Sequence, residues 1–208
     1  MLKIWGRASS SNVQKVLWGC VEMNIPFERI DAGLHFGRTK DPDYLALNPN
    51  ALVPTIEDGK AVVWESNTIL RYLVATRGFE EPLHPKDPVE RSHVERWMDW
   101  QIAHLTAPLA VLLFGYYRTP PERRDAAALE GAHKRCVDLW RIAEGHLRDG
   151  RPYFAGKQLT LADIGIGIWI YRWYNFPIER PETPHLKAWY DRLATRPGYK
   201  THVMLPIS

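Results

Sequence analysis

The stretch LVPTIEDGKAVVWESNTILRYL, residues 52–73, decides how this chain is read. Two short apolar runs, residues 53–56 and 61–63, flank Glu57-Asp58-Gly59-Lys60, which is the composition of a β-hairpin with its turn. Glu65-Ser66 comes next, and Ile69, Leu70 and Leu73 then recur at helical spacing. A helix is expected from Ser66 through Thr76, with Gly78 as its stop. Two features need a reason. Pro54 stands at the mouth of the first strand, although proline has no N–H to give a sheet. An acid and a hydroxyl stand where the helix begins, at its unpaired N–H groups.

Toward the N-terminus, residues 2–5 read as a strand and residues 6–11 as a loop. A helix follows, with Val13, Val16, Leu17, Cys20 and Val21 on its apolar face. Its N-cap is expected at Ser11 or Asn12. Residues 26–30 form a second strand and residues 41–47 a short helix. The order β-α-β-α-β-β-α predicts a small mixed sheet with helices on its faces.

Toward the C-terminus, residues 79–88 carry Pro82, Pro85 and Pro88 and read as a linker between domains 1–78 and 89–208. The second domain is expected to be all-helical. Val94, Trp97, Met98, Gln101, Leu105, Leu109, Leu112 and Leu113 follow one long helical period, with a kink expected at Pro108. Thr119-Pro120-Pro121 ends it, and Leu129, Ala132, Cys136, Leu139, Ala143 and Leu147 mark the next helix. In LTLADIGIGIWIYRW, residues 159–173, the alternating isoleucines suggest a strand by period alone. Thr160 and Asp163 instead form a capping box, with Leu159 and Ile164 spaced as a hydrophobic staple. A helix apolar all round is expected, its glycines permitting close packing. The last helix spans residues 185–196 and ends before Pro197-Gly198.

The 208 residues carry a formal net charge of +3 with both signs interspersed, so nothing points to nucleic acid as a partner. Arg118, Arg123 and Arg124 read as a solvated cluster. No apolar stretch has the length of a signal peptide core or membrane span. Cys20 and Cys136 are the only cysteines, which argues against a disulfide framework and fits a reducing cytoplasm. Cys20 lies on the apolar helix face and reads as a buried, inert thiol. No metal-ligand spacing occurs, so no metal is expected.

LNPNALVPTIEDG (residues 47–59), WESNTILRYL (64–73), LTLADI (159–164) and PHLKAWYDRLATRPGY (184–199) occur in the order seen in one family. Together with the element order they make the whole chain resemble the cytosolic glutathione S-transferases, nearest to bacterial, theta-like members. The resemblance implies an α/β thioredoxin-like domain followed by an all-α domain, a homodimer, and glutathione as co-substrate.

The resemblance also implies that Val53–Pro54 is cis, leaving the Val53 backbone free to pair with an extended peptide. The cysteinyl backbone of glutathione is expected there, beside Leu52 and Pro54. Its γ-glutamyl end is expected at Glu65, which suits the ammonium, and at Ser66, where a helix N-terminus suits the carboxylate. Ala51 stands where some relatives of this type have a histidine for the glycyl carboxylate; Lys40 is a substitute. The thiol is expected at the GRASSSN loop, residues 6–12. A free thiol titrates near ~8.5, so the loop must lower that value by donating hydrogen bonds to sulfur. Ser9 is the first choice as donor and Ser10 the second; Ser10 and Asn12 also match a Thr-Pro-Asn pattern of another bacterial group of the family. The loop has neither tyrosine nor cysteine, which sets the chain apart from the tyrosine-type and cysteine-type classes. The electrophile pocket is expected from Trp100, His104, Ala107 and Trp173 or Phe176, although each tryptophan also fits ordinary core packing.

Three functions follow from the resemblance. The first is transfer of glutathione, as thiolate, to apolar electrophiles. The second is reduction of disulfides or peroxides by glutathione, suggested by Ser10 and Asn12. The third is a binding protein that keeps the fold without the chemistry.

Overall fold

A computed structural model describes residues 1–207 of the chain. The first half runs β1 (Leu2–Trp5), α1 (Ser11–Glu22), β2 (Phe27–Ile30), α2 (Pro42–Leu47), β3 (Thr55–Asp58), β4 (Ala61–Trp64) and α3 (Ser66–Arg77). The sheet order is β2-β1-β3-β4, with β1 parallel to β2 and antiparallel to β3, and β3 antiparallel to β4. Alternation along the strands sends side chains to opposite faces. Ile4 and Ile56 pair across β1 and β3 and pack with Val16 and Leu17 of α1 and Ile69 and Leu73 of α3. Trp5 turns to the other face, against Ala32 and Tyr44 of α2. Helices therefore cover both faces, and burying each such Ile or Leu is worth about 1.5–3 kcal/mol.

The strand expected over residues 53–56 begins only at Thr55. Pro54 cannot donate to a ladder, and the Val53–Pro54 bond is cis, so Val53 stays outside the sheet. The helix behind the hairpin ends as expected, with Gly78 in the left-handed conformation at φ 73°.

Within the expected linker lies one short helix, α4 (Glu80–Leu83). The second half comprises α5 (Pro88–Trp100), α6 (Thr106–Tyr117), α7 (Ala126–His146), α8 (Leu161–Asn175), α9 (Pro184–Ala194) and α10 (Pro197–His202). Between α5 and α6 a π turn spans Gln101–Leu105. The kink expected at Pro108 thus falls earlier. Proline offers no N–H to the His104 carbonyl and crowds it, so the helical register resets upstream of the ring. Thr106 Oγ1 donates to the Gln101 carbonyl at 2.9 Å, and the Gln101 amide donates back to Thr106 Oγ1 at 2.5 Å. Pro197, expected to end the last helix, instead opens α10, because proline is well suited to a first helical position.

α8 is the helix that the capping box predicts, and residues 161–170 are all buried. Asp163 accepts from the Thr160 N–H at 2.9 Å, its hydroxyl at 3.0 Å, the Phe154 N–H at 2.9 Å and Trp189 Nε1 at 2.9 Å. A Cβ on Gly167 would lie 2.8 Å from the Trp18 ring and 3.0 Å from Leu193. This glycine is where α1 of the first domain meets α8 of the second. Gly165, by contrast, has room for a side chain.

Candidate active site

Three segments meet at one end of the sheet. The chain leaves β1 at Gly6, whose N–H donates to the Ile30 carbonyl at 2.8 Å, while the Arg7 N–H donates to Ala32 at 3.0 Å. Gly6 has φ 149°, and a Cβ there would lie 2.4 Å from Val13 and 3.1 Å from the Val53 Cβ. The absence of a side chain at Gly6 brings the serine loop against the cis-proline loop.

Among the described residues, the Val53 N–H and C=O take no backbone hydrogen bond. The loop before them is tied down from below. Tyr44 Oη donates to the Leu52 carbonyl at 2.6 Å and lies 2.9 Å from Thr55 Oγ1. Asn48 Nδ2 reaches the same carbonyl at 3.0 Å and the same hydroxyl at 3.1 Å. Leu52 itself is 63% exposed. An extended ligand can thus add to Val53 as an extra strand would.

Glu65 joins β4 to α3 without a loop, at φ 69° and ψ 114°. A non-glycine residue rarely adopts this region, and such strain concentrates at functional sites. Glu65 is exposed and Ser66 is buried behind it. No acid occupies the first turn of α3, so its N-terminal field is open to an anion. The Ser66 hydroxyl donates to Asn12 Oδ1 at 3.3 Å. Asn12 therefore faces the start of α3.

In the serine loop, α1 begins at Ser11, so the N-cap position belongs to Ser10 rather than to Ser11 or Asn12. The turn closes one residue earlier than the sequence suggested, through a Ser10 N–H bond to the Arg7 carbonyl at 3.2 Å. The Ser10 hydroxyl makes no capping bond, and the residue is 7% exposed. Ser9, one step before it, is half-buried and its carbonyl accepts from Arg172 Nη2 at 3.3 Å. Burial lowers the Arg172 pKa to about 10, with Arg118 and Arg7 pushing the same way. Burial also lowers the Arg7 pKa, again with help from Arg118. Two guanidiniums thus sharpen the positive field that α1, with no acid in its first turn, aims at this loop.

The residues expected around the electrophile divide. His104 and Ala107 are exposed, on the π turn and the first turn of α6. Trp100 packs edge-on to Trp97, beside Arg96 and His146. Trp173 and Phe176 are each 1% exposed, with Trp173 enclosed by Trp140 and His133 of α7. These two are core residues, because α7 covers Trp173 and Tyr117 of α6 packs against Phe176 at the end of α8. Lys40 is exposed in the turn before α2. Cys20 is fully buried and its thiol is pushed up to about 12 by burial, which fits an inert role. No group of His, Cys, Asp and Glu suited to a metal ion, and no helix long and apolar enough to cross a membrane, occurs among the described residues.

Sequence reasoning missed Lys15 and Arg172. Lys15 is 1% exposed, and its Nζ donates to Gln101 Oε1 at 2.5 Å, Asn67 Oδ1 at 3.3 Å and Ser66 Oγ at 3.5 Å. The apolar pattern of α1 assigns one stripe to the core, whereas α3, α8 and α10 together pack around it. The available signal is a charged residue inside a run, Val13 to Cys20, whose only other polar side chain is Gln14.

The chain belongs to the glutathione S-transferase family. The family's N-terminal domain matches residues 1–75 and its C-terminal domain residues 105–197. Over 210 residues, covering 100% of both chains, it is 39% identical to the Escherichia coli (strain K12) protein named Glutathione S-transferase GstB. It is 30% identical to Glutathione S-transferase 3 of Zea mays, covering 99% of this chain and 95% of that one. Among solved structures, the theta class glutathione S-transferase of Xanthomonas axonopodis pv. citri with glutathione bound matches with a TM-score of 0.94 and 42% identity. That match covers 100% of this chain and 99% of the other.

Proposed function

We propose that this enzyme binds glutathione across Val53 and Ser66, ionises its thiol at the Ser9 loop, and transfers the sulfur to an apolar electrophile. The observation that carries the reading is the convergence of three features: the unpaired backbone of Val53, the open N-terminus of α3 at Ser66, and the serine loop packed onto Val53 through Gly6. In this arrangement the cysteinyl backbone of glutathione pairs with Val53, and the γ-glutamyl ammonium and carboxylate meet Glu65 and Ser66. Lys40 or a neighbouring cation meets the glycyl end.

The thiol proton passes to solvent, and the thiolate is held by a serine hydroxyl and by the field of α1. The thiolate then forms a carbon–sulfur bond as the electrophile's leaving group departs or its double bond takes up the charge. Ser9 is favoured over Ser10 because it is the less buried of the two. His104 and Ala107 lie on the side from which the electrophile enters. The protein works as a homodimer in the cytoplasm. Asn12, bonded to Ser66, serves the γ-glutamyl end, which favours transfer over disulfide or peroxide reduction.

The test is the thiolate absorbance of glutathione on the protein, titrated from acidic to mildly alkaline pH. The wild type is expected to hold the thiol well below its free value of about 8.5. Ser9→Ala is expected to lose that shift, with glutathione affinity nearly intact, while Ser10→Ala retains it. A shift retained in Ser9→Ala and lost in Ser10→Ala moves the role to Ser10. A wild type with no shift overturns the mechanism. Turnover of a mixed disulfide exceeding that of aryl halides selects the reductase.

A further inference from the structure

Lys15 is a cation enclosed without an anion. Its three hydrogen-bond acceptors, the Gln101 and Asn67 amide oxygens and the Ser66 hydroxyl, are all neutral. It forms no ion pair with any described residue. Glu65, at the start of α3, is the ionisable group that acts on it through space. Its hydrogen-bond partners are Gln101 of the π turn and Asn67 and Ser66 of the first turn of α3. An ammonium in such a place favours its neutral form unless an anion joins it. Burial indeed lowers its pKa to about 7, against a smaller opposing pull from Glu65.

The position completes the picture. Ser66 is bonded to Lys15 on its inner side and to Asn12 on its outer side, so the hydroxyl joins the buried ammonium to the open N-terminus of α3. We propose that Lys15 is the counter-cation for a ligand carboxylate bound at Ser66, acting as a positioning residue through Ser66 and Asn67 and taking up a proton from solvent when that carboxylate arrives. This rests on the reading that the γ-glutamyl carboxylate of glutathione binds at Ser66. Without ligand, the ammonium is about half discharged at pH 7 and more so above it. With the carboxylate in place it is charged, and Gln101 carries that change to the helical domain. The proton comes from buffer and returns to it on release.

The experiment is titration calorimetry of the whole protein with S-methylglutathione, whose blocked thiol cannot titrate, in buffers of different ionisation enthalpy. At pH 7.5 the wild type is expected to take up more than about half a proton per ligand, falling toward zero near pH 5.5. The analogue carrying 4-aminobutanoyl in place of γ-glutamyl keeps the ammonium and lacks the carboxylate; it is expected to bind without uptake. Lys15→Met is expected to lose the uptake and to bind S-methylglutathione roughly tenfold more weakly. Lys15→Arg is expected to recover affinity without recovering uptake, since guanidinium stays charged.

Binding of S-methylglutathione without uptake, or equal uptake with both ligands, overturns the role of Lys15 and leaves the glutathione site standing. Failure of the wild type to bind S-methylglutathione at any pH overturns both. The two-ligand comparison uses the wild type alone, so it decides the matter even where a Lys15 variant does not fold.

Discussion

Arg172 of α8 donates to the carbonyl of Ser9 at 3.3 Å, across 163 residues of sequence. The same guanidinium donates to Gln14 Oε1 at 2.9 Å and to the Ile168 carbonyl at 3.2 Å. The helical domain thus holds the loop at which thiol ionisation is proposed. Arg172→Met leaves these acceptors without their donor, each at a cost of about 1–3 kcal/mol. The expected outcome is a lower melting temperature and a kcat reduced roughly tenfold, about 1.4 kcal/mol in the barrier. KM for glutathione should stay within about threefold, since the proposed γ-glutamyl site at Glu65 and Ser66 is untouched. Steady-state kinetics with a thermal melt measure this; an unchanged kcat in a folded variant would uncouple the loop from α8.

Tyr44→Phe tests the support beneath the cis-proline loop. It removes the donor to Leu52 and the bond to Thr55, leaving Asn48 alone on that carbonyl. One net hydrogen bond is worth about 1 kcal/mol, so KM for glutathione should rise about fivefold. The kcat at saturating glutathione should hold within about twofold. A kcat loss without a KM change would place the role of Tyr44 elsewhere.

Asp163→Ala strips the acceptor from four donors at once: two on Thr160, one on Phe154 and one on Trp189. The loss should exceed about 3 kcal/mol, because buried donors left unpaired each cost about 1–3 kcal/mol. Asp163→Asn, whose amide retains a single acceptor oxygen, should fall between it and the wild type. Denaturant unfolding followed by tryptophan fluorescence gives both numbers.

The Lys15 pKa also sets a pH dependence of stability. Its folded value is lowered to about 7, whereas an unfolded lysine titrates near ~10.4. Between those values the unfolded chain binds the extra proton, so this group makes stability rise with pH across that window. Below about 7 both states are protonated and the penalty of burying the charge is present in full. Melting temperatures of ligand-free wild type and Lys15→Met, taken from pH 6 to pH 10, should converge toward the alkaline end in the way this requires. Parallel curves would show that Lys15 keeps its ordinary pKa.

Local chemistry made most of the fold legible. The hairpin declared itself through its Gly59 turn, α3 through Gly78, and α8 through Thr160 and Asp163 against the strand-like period of its isoleucines. Each of those signals is complete within a few residues. What escaped was set by contacts between distant segments. Lys15 and Trp18 sit on the side of α1 that an amphipathic reading assigns to water, and Trp18 is buried there against Gly167 and Gly198. Arg172 sits near the C-terminal end of α8 and meets its loop partner only in the folded chain. The location of the π turn was likewise hidden, because Pro108 marks a break in register without saying where the helix absorbs it. Of the expected site, the Val53, Glu65 and Ser9 segments come together, while Trp173 was drawn into the core by α7, an element whose placement no single window of sequence reveals.

The π turn has a consequence for where the rod tolerates change. Gln101, clasped by Thr106, belongs to the buried Lys15 cluster, whereas Ala107, Val111 and Phe114 beyond the turn are exposed. The turn therefore separates, within one continuous rod, a half tied to the first domain through Lys15 from a half whose outer face is exposed. A substitution on the exposed outer face of α6 is expected to leave the Lys15 cluster, and the contact it makes between the domains, undisturbed.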